Sequence, residues 1–206
     1  MNNKLHCFNK LEELYLLYDK VRQAVILLEN FNEGHKMYLA PVNQLRSALD
    51  HVFKAINCNE KTEQCDYELK EAKEHLDRAG YDALELLAAN IGISIVQKLK
   101  KYNTKTITEV FPFYFTTIKP KLTDIKCIVA TLRSDKKIDS EKSFSEYFEQ
   151  ISMLIEMDKK VDTMIPSLDE YEMKQKKEKI KTWGISILSS IISGLSVGII
   201  MYFSTG

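Results

Sequence analysis

Two histidines and two arginines stand among carboxylates in two short stretches of this chain. One reads Leu-Arg-Ser-Ala-Leu-Asp-His and carries Arg46, Asp50 and His51. The other reads Glu-His-Leu-Asp-Arg-Ala and carries Glu74, His75, Asp77 and Arg78. Histidine titrates near neutral pH and can give or take a proton. Arginine holds phosphate or carboxylate charge. Gathered on one surface, these residues could move a proton at a phosphodiester and stabilise its charge. A plainer arrangement uses the same residues. Arg46 and Asp50 are four apart and can pair along a helix. Asp77 and Arg78 can bridge to a neighbouring helix, and His51 and His75 can be satisfied polar groups at a helix crossing.

The elements that must position them are helices. Glycine and proline are scarce, charged residues are frequent, and the apolar spacing is helical, so the chain reads as all-α. A first helix is expected over about 5–31, with Leu11, Leu14, Tyr18, Val21, Val25 and Leu28 on one seam. Leu17, Ala24 and Phe31 widen its apolar face, which suits a bundle. A second helix runs from about Leu39 or Pro41 to Asn57, with Val42, Leu45, Ala48, Leu49, Val52, Phe53 and Ile56 inward. A third, long helix follows over about 62–102, with Leu69, Ala72, Leu76, Ala79, Ala83 and Leu86 as its seam. Gly80 and Gly92 inside it weaken it by about 1 kcal/mol each relative to alanine. The loop between the second and third helices is short, so the two are antiparallel neighbours and both polar stretches can meet.

The stretch 103–121 is the least regular, with Pro112 and Pro120 around Phe111, Phe113, Tyr114 and Phe115. Core filling beside a kink is the expected role of these rings. A helix over about 122–134 and a charged loop over 135–142 come next. Ser143, with Glu146 three residues on, reads as a capping box opening another helix. Pro166 is expected to kink or interrupt that helix. Lys98, Lys100 and Lys101 read as a solvated basic face.

Lys plus Arg number 29 and Asp plus Glu number 29. That balance argues against a nucleic-acid binder held by phosphate contacts alone. Glycine loops for phosphate, H-E-x-x-H, nucleophile elbows, EF-hand loops and paired-cysteine fingers are all missing from the sequence. No cofactor and no metal are expected. Cys58, Cys65 and His75 are the one set that could in principle ligate a metal, against ordinary thiols in a reducing compartment.

Arg46-x-x-x-x-His51 resembles the R-x(4–6)-H signature of HEPN domains, small all-α domains that are often dimeric and often cut RNA without metal. The resemblance implies His51 as general acid or base at the RNA 2′-hydroxyl and Arg46 at the scissile phosphate. A dimer would complete the site, with Asp50, His75 and Arg78 as auxiliaries. Ser47 follows the arginine, and the motif falls in the second helix; active members differ on both points.

Gly184 to Phe203 is an uncharged apolar run behind a lysine-rich segment, Lys174–Lys181. A bilayer core takes about 20 helical residues, so the run is expected to span a membrane. Trp183 and Tyr202 sit where amphipathic rings favour the interface, and the lysines put the N-terminal domain in the cytoplasm. The N-terminal residues are amphipathic and partly acidic, unlike a signal peptide. Ser186, Ser190, Gly194 and Gly198 recur every fourth residue, a small-residue stripe that lets membrane helices pack closely.

The expected organisation is a cytoplasmic helical bundle of about five helices over 1–165, a charged helical stalk over 166–182, a transmembrane helix over 183–203 and a short tail over 204–206. The layout is similar to bacterial membrane effectors, often antiviral, that couple a sensor or nuclease-like domain to a membrane segment. The expected function is a membrane-anchored, self-associating interaction or effector protein that is not an enzyme. Its expected partners are the lipid bilayer, further copies of itself and a protein. A membrane-tethered HEPN-like ribonuclease, with RNA as partner, and a passive scaffold that recruits a cytoplasmic protein are the alternatives.

Overall fold

The computed structural model describes residues 2–31, 38–58, 62–134 and 140–204. The side chains of 2–8, 62, 126, 129–134, 140–145 and 194–204 lie outside that description. Every described element is helical: α1 (Asn2–Asn30), α2 (Leu39–Ile56), α3 (Thr62–Leu99), α4 (Thr104–Val110), a π-helical turn (Tyr114–Ile118), α5 (Lys119–Ser134) and α6 (Ser140–Ser204). The protein is an all-α bundle.

Helix α3 is its axis. Along its length Leu69, Ala72, Leu76, Ala79, Ala83, Leu84, Leu87, Ile91, Ile95 and Leu99 are buried. The alanines let neighbouring backbones come near, and the leucines and isoleucines fill the space between. Helices α1 and α2 both lie along α3, and α6 crosses its C-terminal half. From α1 come Leu14, Leu17, Val21, Ala24 and Leu28; from α6 come Ile151, Leu154, Val161 and Leu168. The stretch Glu63–Leu99 is long and apolar enough to cross a membrane by composition. Its side chains instead carry the core against α1, α2 and α6. The C-terminal run reaches past the residues whose side chains are described.

The expected inward face of α2 is only half covered. Ala48 and Ala55 are buried, but Leu49, Phe53 and Ile56 are more than half exposed. Helices α1 and α2 share α3 as a floor and barely touch each other. An apolar groove of about 560 Å3 opens between them, walled by Leu14 and Tyr18 of α1 and by Leu45 and Leu49 of α2, with Leu76 of α3 beneath.

Several local expectations shift. Helix α6 already runs through Ser140 among the described residues, so Ser143 lies within it and not at its N-cap. Residues 135–139 of the expected loop lie outside the described residues. Pro166 does not interrupt α6, which runs through it to Ser204. Packing on both sides holds it: Leu168 is fully buried, and the Tyr102 hydroxyl lies 3.4 Å from the Ile165 carbonyl. The bundle contacts of α6 therefore continue beyond the proline. Tyr102 donates to Asp169 at 2.7 Å, Asn103 Nδ2 and Thr106 Oγ1 donate to Glu172 at 2.7 and 2.6 Å, and the Tyr171 hydroxyl donates to Glu109. Residues 176–193 are exposed.

The lysines of the 98–101 cluster are not simply solvated. Lys98 Nζ donates to both oxygens of Asp158 at 2.9 Å and sits 2.8 Å from Asp162, while Lys101 reaches Asp169 at 2.9 Å. The first pair fastens α3 to α6, and the second fastens the turn after α3 to α6. In the irregular stretch, Asn103 caps α4 by accepting from the Thr106 backbone N–H at 2.9 Å. Phe111 fills the core, Tyr114 and Phe115 pack partly against it, and Phe113 lies outward under Lys160.

Gly92 lies mid-helix in α3. A Cβ there would meet Leu122 Cδ2 at 3.7 Å, an ordinary contact. Gly92→Ala should therefore stabilise the bundle by about 0.5–1 kcal/mol, since alanine restricts the unfolded chain and favours helix. Urea unfolding checks this through an upward shift in midpoint at unchanged slope.

Candidate functional site

The two polar stretches do meet, through different residues than the spacing alone suggests. Helices α2 and α3 run side by side, and His51 of α2 stacks on His75 of α3 with ring centroids 5.3 Å apart and planes 22° apart. His51 Nδ1 lies 2.7 Å from Glu68 Oε2. A carboxylate only accepts, so His51 donates from Nδ1. Gln64 Nε2 donates to the other Glu68 oxygen at 2.7 Å and fixes its orientation. His75 Nδ1 lies 2.6 Å from Gln44 Oε1, an amide oxygen that again accepts. Glu71 stands one turn before His75 on the same face of α3. One ligand-capable atom each from His51, Glu71 and His75 falls within 4.8 Å of the others.

Local sequence accounts for this placement. Glu68, Glu71 and His75 are spaced three and four apart, which puts them on one helical face toward α2. On α2, Gln44 and His51 are seven apart, two turns along one side. The cluster is partly buried, with Glu68 only 7 % exposed. The hydrogen bond from His51 holds the Glu68 carboxyl below its ordinary value against the opposing effect of burial, and Gln64 adds to it. Burial lowers the His75 pKa, and the nearby His51 and Arg78 charges lower it further. Both effects favour a neutral His75 ring at neutral pH.

The other expected site residues are placed apart. Arg46 lies on the wall of the α1–α2 groove. His51 lies five positions on, about 140° around the helix, so the two project from different sides of α2. Asp50 does not pair with Arg46; its carboxyl is 2.6 Å from Lys54 on the exposed side of α2. That hydrogen bond holds the Asp50 pKa low. Lysine at position 54 offers the i+4 cation in the favoured acid-first order, and it wins over the arginine behind. Arg78 turns back to Glu74 of its own helix at 3.3 Å and does not bridge to α2. Cys58 and Cys65 stand outside the histidine cluster. Gln44, Gln64, Glu68 and Glu71 were not singled out by sequence, although the three-and-four spacing of the carboxylates with His75 is a readable signal. Ser190 and Ser193 donate their hydroxyls to the carbonyls of Ser186 and Ser189, each at 2.9 Å. Gly194 and Gly198 lie in α6 beyond the described side chains.

Compared with known proteins, the chain matches no family model, no curated protein and no solved structure.

Proposed function

We propose that this protein is a membrane-anchored, self-associating helical interaction protein, held at the bilayer by the C-terminal part of α6 with its bundle in the cytoplasm. The carrying observation is the exposure of the apolar run. Trp183 is 73 % exposed and Leu188 63 %, and Ile185, Ile191 and Ile192 also face outward. Among the described residues of the run, 184–193, every side chain is exposed, which supports a role outside the core of this bundle. A row of apolar side chains on all sides of one helix calls for an apolar solvent. Behind it, Lys174, Lys176, Lys177, Lys179 and Lys181 stand exposed, as lysines favour the cytoplasmic headgroup region. The Ser190 and Ser193 hydroxyls bond back to their own helix, so these two need no water within a bilayer. The open groove between α1 and α2 supports the interaction part of the reading, because an apolar concavity of this size on a bundle suits a protein contact.

The test is membrane extraction of the full chain. It should stay in the membrane pellet under alkaline carbonate and leave only with detergent. Release by alkali or high salt alone would sink the reading, because a peripheral protein does that and a spanning helix does not.

Self-association has its own check. Gly194→Leu with Gly198→Leu should separate the helix backbones and reduce crosslinked oligomers in bilayers, because small residues permit the close approach. An unchanged crosslinking ladder would assign assembly to the bundle or to no specific contact.

A further inference from the structure

We infer that His51, Glu71 and His75 form a site for one divalent first-row transition ion of the zinc type, bridging α2 and α3. The site is independent of membrane anchoring. Its ligand set is two imidazoles and a carboxylate, a combination zinc uses with water as the fourth ligand. One ligand-capable atom of each residue already lies within 4.8 Å of the others.

The ring spacing fits a shared ion, but the rings stack only 22° from parallel, so one ring must turn for both lone pairs to point at the same ion. Zinc–nitrogen bonds of about 2.0–2.1 Å place the centroids of two imidazoles on one tetrahedral ion about 5 Å apart. His51 and His75 sit at 5.3 Å. Tetrahedral binding brings ligand atoms to about 3.4 Å from one another. Side-chain rotation in this half-buried cluster can supply that closure.

The outer contacts are those that ligating histidines make. Such a histidine donates its second ring N–H to a carboxylate or carbonyl oxygen, which fixes the tautomer. Here His51 Nδ1 donates to Glu68 at 2.7 Å and His75 Nδ1 to Gln44 at 2.6 Å. In the neutral ring, that leaves the lone pair on Nε2 of each. Gln64 in turn holds Glu68. The two Nε2 lone pairs remain for a cation, and Glu71 offsets its charge.

The experiment uses the full chain in detergent, stripped by a chelator and then titrated with Zn2+ against a competing chromophoric chelator. One equivalent should bind and raise the melting temperature. Co2+ in its place should give the visible bands of a tetrahedral site. His51→Ala and His75→Ala should each weaken binding by more than about 100-fold, since loss of an outer contact alone costs about 10–100-fold. Gln44→Leu should weaken it by about 10-fold. Glu71→Gln keeps shape and tests the carboxylate if an alanine variant does not fold. A chain with His6→Ala and His35→Ala should bind as the wild type does. Failure of the wild type to bind one equivalent, retention of binding in His51→Ala and His75→Ala, or loss of binding in the His6/His35 variant would each overturn the site.

Discussion

Lys98→Met is expected to destabilise the bundle by about 3 kcal/mol, the lower end of the cost of stranding a buried charge. Asp158 is 5 % exposed and accepts from Lys98 with both oxygens and from Ser94 at 3.1 Å. Methionine keeps the apolar stem but leaves the carboxylate with only the serine. In a chain of this size that cost corresponds to a fall in melting temperature of about 6–12 °C. Thermal melting in detergent measures it. The double replacement Lys98→Met with Asp158→Leu should recover most of the loss, because a buried ion pair is weak against a packed apolar pair. A double variant as unstable as the single one would mean that α3–α6 docking depends on the charges themselves. Burial pulls the Lys98 pKa down, and the bonds to Asp162 and Asp158 overcome that, so it ends raised. The raised value keeps the clamp whole at neutral pH and releases it only as pH climbs above the ordinary lysine range. Asp169 behaves oppositely. Lys101 and Tyr102 hold its pKa low, so its contribution is present above the ordinary carboxylate value and fades as pH falls through the lower folded one.

The Lys98 pair also shows what the sequence could and could not yield. A run of three lysines within four residues looks solvated because nothing nearby in the chain opposes it. Its partners Asp158, Asp162 and Asp169 lie about sixty residues away, and only tertiary packing brings them near. The helices themselves were legible, since periodic burial at Leu14, Leu17, Val21, Ala24 and Leu28 is a local property. The open face of α2 was not. Leu49 and Phe53 carry the same pattern as core residues, and whether they are covered depends on how far α1 stands from α2. The meeting of His51 and His75 followed from a short connection between antiparallel helices. Their actual partners depended on the register between α2 and α3, which hydrophobic spacing leaves open to a turn. Arg46 and His51 looked like neighbours in sequence, yet helical geometry turns them to different sides.

Ile191→Arg with Ile192→Arg is expected to move the chain from the membrane pellet to the soluble fraction. An arginine near the centre of a spanning helix costs about 2.5–3.5 kcal/mol on insertion scales, so the pair costs about 5–7 kcal/mol. That is enough to reverse insertion of a single span whose glycines and serines contribute little. Both side chains are more than half exposed and far along α6 from the last bundle contacts at Tyr171 and Glu172. The melting of the bundle should therefore stay within about 0.5 kcal/mol of wild type, as for surface changes away from specific contacts. Fractionation and melting are read on the same preparations. A bundle that unfolds with the substitutions would make the run part of the fold and contradict its exposure. A variant that remains in the pellet under alkali would place the membrane attachment elsewhere in the chain. Soluble protein with an intact bundle would leave the C-terminal part of α6 as the anchor and nothing else.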